Sequence, residues 1–398
     1  MQSRRNFLKN SSLIAAGSLL APHFLNGFQP DSHAYKGKRL VIIQLSGGND
    51  GLNTVVPFRN DIYYKSRPQL AIPRTSVLQL NDELGLHPAL GGLRSLFEAG
   101  DLSILNGVGY PNPDRSHFRS MDIWHTASNA DEIWETGWLG RYLDASCGTC
   151  EAPHRAIEVD DNLSLAMKGE QLKGMAMASP QRLVRNIKGT HMKALTDLNG
   201  DQAHDHDNLG YLYKTMVETV NSAAYVQEKV KTYRSRANYP QNPFAANLKT
   251  IAELIGAGME TQVYYAAMTG FDTHARQQGT QERLLGIYGD SVKAFVDDLK
   301  EQGHLDDTLI MTFSEFGRRV AQNASGGTDH GTANNVFLMG GSVQPGLWNE
   351  LPSLTDLDNG DLKYRLDFRN IYATLLDKWL NVSSEKVLKR PFETLDII

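Results

Sequence analysis

Strands that alternate with helices along the chain predict an α/β fold with a largely parallel central sheet and helices on both faces. Three observations carry this prediction. The first is the nearly continuous apolar run Lys38–Leu45 (KRLVIIQL). The second is the strand-like run Gln262–Met268, which leads through a short turn into a long amphipathic helix. The third is the repeat of that strand-then-turn pattern at Thr308–Phe313. A run that is apolar at successive residues suits a strand buried on both faces, as a parallel sheet requires.

Each element has its own signal. The first strand opens into the glycine-rich loop Ser46-Gly47-Gly48-Asn49-Asp50-Gly51. His87–Gly100 spaces apolar residues as a helix does and stops at Gly100; Asp101–Val108 reads as a second strand. The loop Gly109–Arg115 leads into a helix from Ser116, and Arg155–Val159 reads as a third strand. Leu209–Tyr233 and Phe244–Ile255 read as helices split by Pro240 and Pro243. Gln262–Met268 ends at Gly270-Phe271-Asp272-Thr273-His274. The helix after it carries Leu284, Leu285, Tyr288, Val292, Phe295, Val296 and Leu299 on one stripe and ends at Gly303. Thr308–Phe313 ends at Ser314-Glu315-Phe316-Gly317; Asn335–Met339 is a further strand and Phe368–Leu380 a closing helix.

The N-terminus has a different character. Arg4 and Arg5 precede Phe7-Leu8, and the stretch from Leu13 to Leu25 is apolar but broken by Gly, Ser, Pro and His. It is too short and too weakly apolar to span a bilayer as a stable helix. A paired-arginine start before a short apolar region reads as a twin-arginine signal, an address for export of folded cargo. The expected organisation is a signal peptide over 1–33 and a single α/β domain over 37–398. The expected location is periplasmic or extracellular, with the twin-arginine translocase as partner during export. No clean small-x-small site precedes Asp31, so the segment is either cut near Gly27–Ala34 or kept as an anchor. The net charge of −5 gives no reason to expect nucleic-acid binding. The only cysteines, Cys147 and Cys150, suit a small-loop disulfide in an oxidising compartment and lack the second pair of a zinc site. Asp201–Asp207 reads as a polar loop in which His204 and His206 are solvent-exposed or metal-binding.

In open α/β sheets ligands gather at the carboxyl ends of the strands. The polar residues expected there are Asn49 and Asp50, Ser116 and His117, Asp272 and His274, Glu315, and Thr328, Asp329 and His330. Carboxylates and imidazoles in one place suit a divalent metal, zinc or manganese. Without one, the acids would repel each other and be poorly solvated. Structural readings stand beside these: Asp50 as a turn residue, Asp272-Thr273-His274 as a helix cap, and Glu315 paired with Arg318 or Arg319.

Six blocks in order, Gly-Gly-Asn-Asp-Gly-Leu-Asn (47–53), Arg-Ser-His-Phe-Arg-Ser-Met-Asp-Ile-Trp (115–124), Thr-Gly-Trp-Leu-Gly-Arg-Tyr-Leu (136–143), Phe-Asp-Thr-His (271–274), Ser-Glu-Phe-Gly-Arg (314–318) and Gly-Thr-Asp-His-Gly (327–331), resemble the bacterial family known as domain of unknown function 1501. That family is similar to the alkaline-phosphatase-like superfamily, which includes sulfatases. The resemblance implies an alkaline-phosphatase-like fold with a two-metal site. Its ligands would be Asp50, Asp272, His274, Glu315, Asp329 and His330. Phe316 stands where the superfamily has a histidine. The resemblance places the nucleophile at Ser116, with Ser120 and Asp114 as alternatives and His117 as a catalytic neighbour. Asn49, Arg115 and Arg119 would hold an anionic ester substrate. The expected function is an exported metal-dependent hydrolase of phosphate or sulfate esters. The alternatives are a catalytically inactive secreted binding or assembly protein, and a protein with a structural metal only.

Overall fold

In the computed structural model, which describes residues 37–146, 152–187 and 208–398, the first apolar run becomes β1 (Arg39–Ser46). The twin-arginine segment, Cys147, Cys150 and the stretch 201–207 lie outside the described residues. The described residues belong to one compact unit. The remaining strands of the main sheet are β2 (Leu102–Gly109), β3 (Ala156–Glu158), β4 (Met175–Ala176), β5 (Val263–Thr269), β6 (Thr308–Phe313), β7 (Asn334–Met339), β8 (Gly346–Trp348) and β9 (Leu366–Asp367). Helices used below are α1 (Gly51–Thr54), α2 (Gly91–Glu98), α3 (His117–Thr126), α4 (Trp138–Ser146), α5 (Pro243–Gly256), α6 (Gln277–Glu301) and α7 (Phe368–Thr374).

Among the described residues the nine strands run in the order β8-β2-β7-β6-β1-β5-β3-β4, with β9 also paired to β2. β1 lies between β5 and β6, parallel to both. Only β7 is reversed, antiparallel to β6 and β2. The reversal has a direct consequence for function. A parallel strand delivers the residues after it to the carboxyl edge, whereas a reversed strand delivers the residues before it. The loop carrying Thr328, Asp329 and His330 therefore comes to the same edge as the loops that follow β1, β5 and β6.

Alternation along β1 builds the core on both faces. Val41, Ile43 and Leu45 pack with α2, α5 and α6, while Leu40 and Ile42 pack with α3, α4 and α7. The stripe predicted on the long helix, Leu284 to Leu299, is buried in the first of these clusters. Past the end of α6, Gly303 takes φ +71, a left-handed turn that favours glycine. On the other face Trp124 stacks between Phe313 and Phe368, with ring centroids 4.7 and 4.2 Å away, and its indole N–H donates to the Glu315 carbonyl at 2.9 Å. This fixes α3 against the end of β6. The closing helix departs from a regular α-helix at Leu375, where α7 continues as a π-helical turn, Leu375–Trp379. The strands not foreseen, β4, β8 and β9, are two or three residues long, too short to show a period.

One core acid gives a pH prediction. Glu158 ends β3 with 5% exposure, and its carboxylate accepts the Ser164 amide at 2.6 Å. Burial pushes its carboxyl up to about 7 from an ordinary 4.5. Between those values the unfolded chain ionises first, so stability falls as pH rises from 4.5 to 7 and stays reduced above. Glu158→Gln removes the ionisable group. Its melting temperature should exceed that of the parent at pH 8, by an amount reflecting about 1–3 kcal/mol, and the gap should close at pH 5. Melting curves at the two pH values check this, and an equal gap at both would contradict it.

Candidate metal centre

The centre forms where three strand-end loops meet α3. Glu315, the second residue after β6, is buried. Its Oε1 accepts the Gly47 amide and His117 Nδ1, both at 2.8 Å. Gly47 has φ +119, and a Cβ there would lie 2.5 Å from the Asp272 backbone nitrogen, so only glycine lets the β1 loop pass so close to the β5 loop. His117 opens α3, and its Nε2 is buried without a hydrogen bond, 3.4 Å from Asp272 Oδ1. His330 Nδ1 donates to the Arg115 carbonyl at 2.8 Å, and its Nε2 lies 3.1 Å from Asp272 Oδ1. His274 Nε2 also lies 3.1 Å from Asp272 Oδ1 and 2.9 Å from His330 Nε2. Its Nδ1 faces Asp329 at 3.5 Å. Phe316 packs beneath, its ring centroid 4.9 Å from that of His117 and 4.6 Å from that of His330.

The proton positions follow from these partners. A backbone carbonyl only accepts, so His330 carries its proton on Nδ1 and turns the Nε2 lone pair inward. The Glu315 carboxylate does the same for His117. All three imidazoles thus have an acceptor behind Nδ1 and point Nε2 at one carboxylate oxygen. In these tautomers the lone pairs at 2.9 Å and the carboxylate oxygen at 3.1 Å repel, and either a proton or a cation among them relieves the repulsion. The ligand atoms of His117, Asp272 and His330 all lie within 4.8 Å of one another, close enough to share one ion at roughly 2.0–2.2 Å from each. The orphaned His117 Nε2 and the acceptors behind the rings make the donor set one that a divalent metal would fit, since imidazole and carboxylate are ligands of such ions.

Charge is distributed around this set with care. Burial works to raise the Asp272 carboxyl, but the hydrogen bond and the positive charge of Arg318 outweigh it and hold it at about 2. The hydrogen bond to Glu315 pulls His117 up, while burial pulls His330 down. The Asn323 amide, donating at 3.0 Å, holds Asp329 below the usual carboxylate range. Asp272 remains half exposed, so the cluster opens to solvent on one side.

Several expected residues serve other purposes here. Asp50 is not with the imidazoles: its Oδ2 meets Arg67 Nη1 at 2.6 Å and the Gln277 amide at 2.5 Å, and its Oδ1 caps α1. Glu315 lies behind His117 and Asp329 behind His274, each set to orient a ring. Glu315 pairs with neither Arg318 nor Arg319; Arg318 binds Asp272 at 2.8 Å, and Arg319 lies 3.4 Å from Asp361. Asn49 is buried and hydrogen-bonds Thr54 and Ser314. Arg119 donates to the carbonyls of Asn129, Ala130 and Glu132, and Arg115 pairs with the buried Asp361. These internal bonds occupy the groups expected to meet substrate. Ser116 caps α3 from an exposed position with no side-chain cap bond, its amide held by Asp114 at 2.6 Å. Ser120 is buried and bonds the Asp114 carbonyl and Tyr110 hydroxyl. Arg67, Gln277 and Asp361 were not singled out by sequence reasoning. An arginine fifteen or more residues from the loop it serves carries no local signal.

An α/β domain with imidazoles and a carboxylate gathered where its parallel strands end is the class of protein these features define. The chain belongs to the family described as protein of unknown function, DUF1501, whose model matches residues 101–391. Among curated proteins none matches. Solved structures similar to it include a protein in the alkaline phosphatase superfamily from Vibrio parahaemolyticus, at 9% identity and TM-score 0.42 over 90% of this chain and 71% of that one. The phosphonate monoester hydrolase SpPMH from Silicibacter pomeroyi is similar at 11% identity and TM-score 0.41, over 90% and 76% of the two chains. The PsFucS1 sulfatase from Pseudoalteromonas sp. is similar at 12% identity and TM-score 0.38, over 91% and 71%.

Proposed function

We propose that this chain is an exported, metal-dependent hydrolase of phosphate or sulfate esters, built on an alkaline-phosphatase-like α/β domain. The observation that carries the reading is the convergence of three imidazole Nε2 atoms on Asp272, each ring held from behind by an acceptor. His117, Asp272 and His330 would hold the ion, with His274 beside them. A bound divalent ion would polarise the ester oxygen and lower the pKa of an attacking hydroxyl. The chain's own groups supply the rest. Ser116 lies between Arg115, whose carbonyl holds His330, and His117, at the positive end of α3. Its hydroxyl would attack phosphorus or sulfur and pass its proton to the alcohol that leaves, and water would then release the phosphate or sulfate from the serine. Arg318, fixed by backbone carbonyls, would hold the Asp272 carboxylate in position through its guanidinium. A cavity of about 400 Å³ lined by Tyr110, Asn112, Phe316, Lys363 and Tyr364 shares the Phe316 wall of the centre and suits the alcohol portion of the ester.

Turnover of aryl phosphate mono- and diesters and aryl sulfates, measured before and after chelation and re-addition of zinc or manganese, tests this. The expected result is metal-dependent turnover that Ser116→Ala lowers by several orders of magnitude while metal content and folding persist. A cap serine contributes only about 1 kcal/mol to stability. One observation favours a second reading, a secreted binding or assembly protein: Asn49 and Arg119 are both turned inward. Metal retained without turnover of any ester class would support that reading over hydrolysis.

Export rests on Arg4 and Arg5. A receptor that reads paired guanidinium groups should reject lysine, which keeps charge but loses the planar fork. Arg4→Lys with Arg5→Lys should leave the protein in the cytoplasm in a fractionation experiment, and continued export of that double variant would remove the assignment. No helix among the described residues is long and apolar enough to cross a membrane.

A further inference from the structure

We infer that the centre holds one metal ion rather than two, and that buried guanidinium groups take the place of the second. The inference rests on the metal reading given above. The resemblance to two-metal enzymes would put a second ion between the carboxylates of Asp50 and Glu315, and neither is available. Asp50 is engaged elsewhere: Oδ2 accepts Arg67 at 2.6 Å and Gln277 at 2.5 Å, and Oδ1 caps α1 by accepting the Asn53 amide at 3.4 Å. Arg67 is itself locked. Its remaining N–H groups donate to Asn53 Oδ1 at 2.8 Å, the Val320 carbonyl at 2.8 Å and the Arg319 carbonyl at 2.7 Å, and its side chain is wholly buried. Glu315 is committed to His117, the Gly47 amide and the Ser314 hydroxyl.

The second guanidinium closes the remaining space. Arg318, also wholly buried, donates to the carbonyls of Gly47, Gly48, Phe271 and Thr328 and to Asp272 Oδ1. It thereby fills the ground between the β1 and β5 loops with a fixed cation. Charge points the same way. Asp50, Asp272, Glu315 and Asp329 against Arg67 and Arg318 leave about −2, which one divalent ion neutralises and a second would invert. The adjoining group of Arg115, Arg319 and Asp361 adds a further positive charge. Two ions about 3.5–4 Å apart, as two-metal sites require, would face these guanidiniums across a poorly solvated space.

Counting metal tests this directly. The full chain is saturated with zinc or manganese, freed of unbound ion by gel filtration, and assayed for metal per chain, with folding checked by circular dichroism. One ion per chain is expected, with less than about a tenth of an ion in His330→Ala, whose lost imidazole is worth more than the 10–100-fold that second-shell changes cost. Asp50→Asn should keep its ion. Two ions in the parent overturn the inference while sparing the metal reading, and so does loss of the ion in folded Asp50→Asn. If Asp50→Asn does not fold, the parent's count decides alone. No ion in the folded parent overturns the metal reading and this inference with it.

Discussion

Arg67→Met should lower the stability of the fold by about 3–5 kcal/mol, the cost of leaving one member of a buried ion pair without its partner. Asp50 and Arg67 are both excluded from water, with side-chain exposures of 1% and 0%. Methionine fills much of the volume but leaves the Asp50 carboxylate with only an amide and a backbone N–H for company. It also strips the Val320 and Arg319 carbonyls of their donors, each of which costs more when buried than the bond itself contributed. The double change Asp50→Asn with Arg67→Met removes both charges and should recover a substantial part of the loss. Denaturant midpoints of the parent, the single and the double variant give the coupling. By contrast, breaking the exposed pair Lys231–Glu228, with 60% and 74% exposure, should move the midpoint by no more than about 0.5 kcal/mol. A loss below about 1 kcal/mol for Arg67→Met would mean that Asp50 is held by something other than this pair, an ion included.

The second large effect concerns the ligands and what stands behind them. His330→Ala removes an Nε2 donor and frees the Arg115 carbonyl, and should reduce metal affinity well beyond 100-fold and turnover with it. Glu315→Gln is the more informative variant. The amide oxygen still accepts His117 Nδ1 and the Gly47 N–H, so the ring stays in place, but the negative charge that makes the imidazole more basic is gone. Outer-shell changes of this kind cost about 10–100-fold in affinity. Competition titration against a chelating dye should therefore rank parent, Glu315→Gln and His330→Ala in that order. Equal affinities for parent and Glu315→Gln would mean His117 is not a ligand.

The main elements of this fold were legible because their signals are local. β1, β2, β5, β6 and the α6 stripe follow from runs of apolar residues within one window, and their predicted and observed bounds agree within one or two residues. The reversal of β7 was not legible: direction is set by which strands it joins, and Asn334–Met339 reads the same either way. In the candidate site, the gathering of Asp272, His274 and His330 followed from placing polar residues at strand ends. The role of Asp50 did not, because its partner Arg67 comes from a loop seventeen residues on, and a guanidinium and a metal satisfy the same carboxylate. Arg318 was visible only as a neighbour of Glu315. That it turns to Asp272 depends on the Gly47–Gly48 carbonyls, which take their positions only once the β1 and β5 loops have met.

The central claim is that imidazoles His117 and His330 and the Asp272 carboxylate bind one divalent ion. X-ray absorption at the zinc edge of the loaded protein tests it most directly. The account predicts nitrogen and oxygen donors at roughly 2.0–2.2 Å with the outer-shell scattering of two or three imidazole rings, and the loss of one ring's contribution in any zinc that His330→Ala retains. A spectrum of oxygen donors alone, or one unchanged by that substitution, would contradict it.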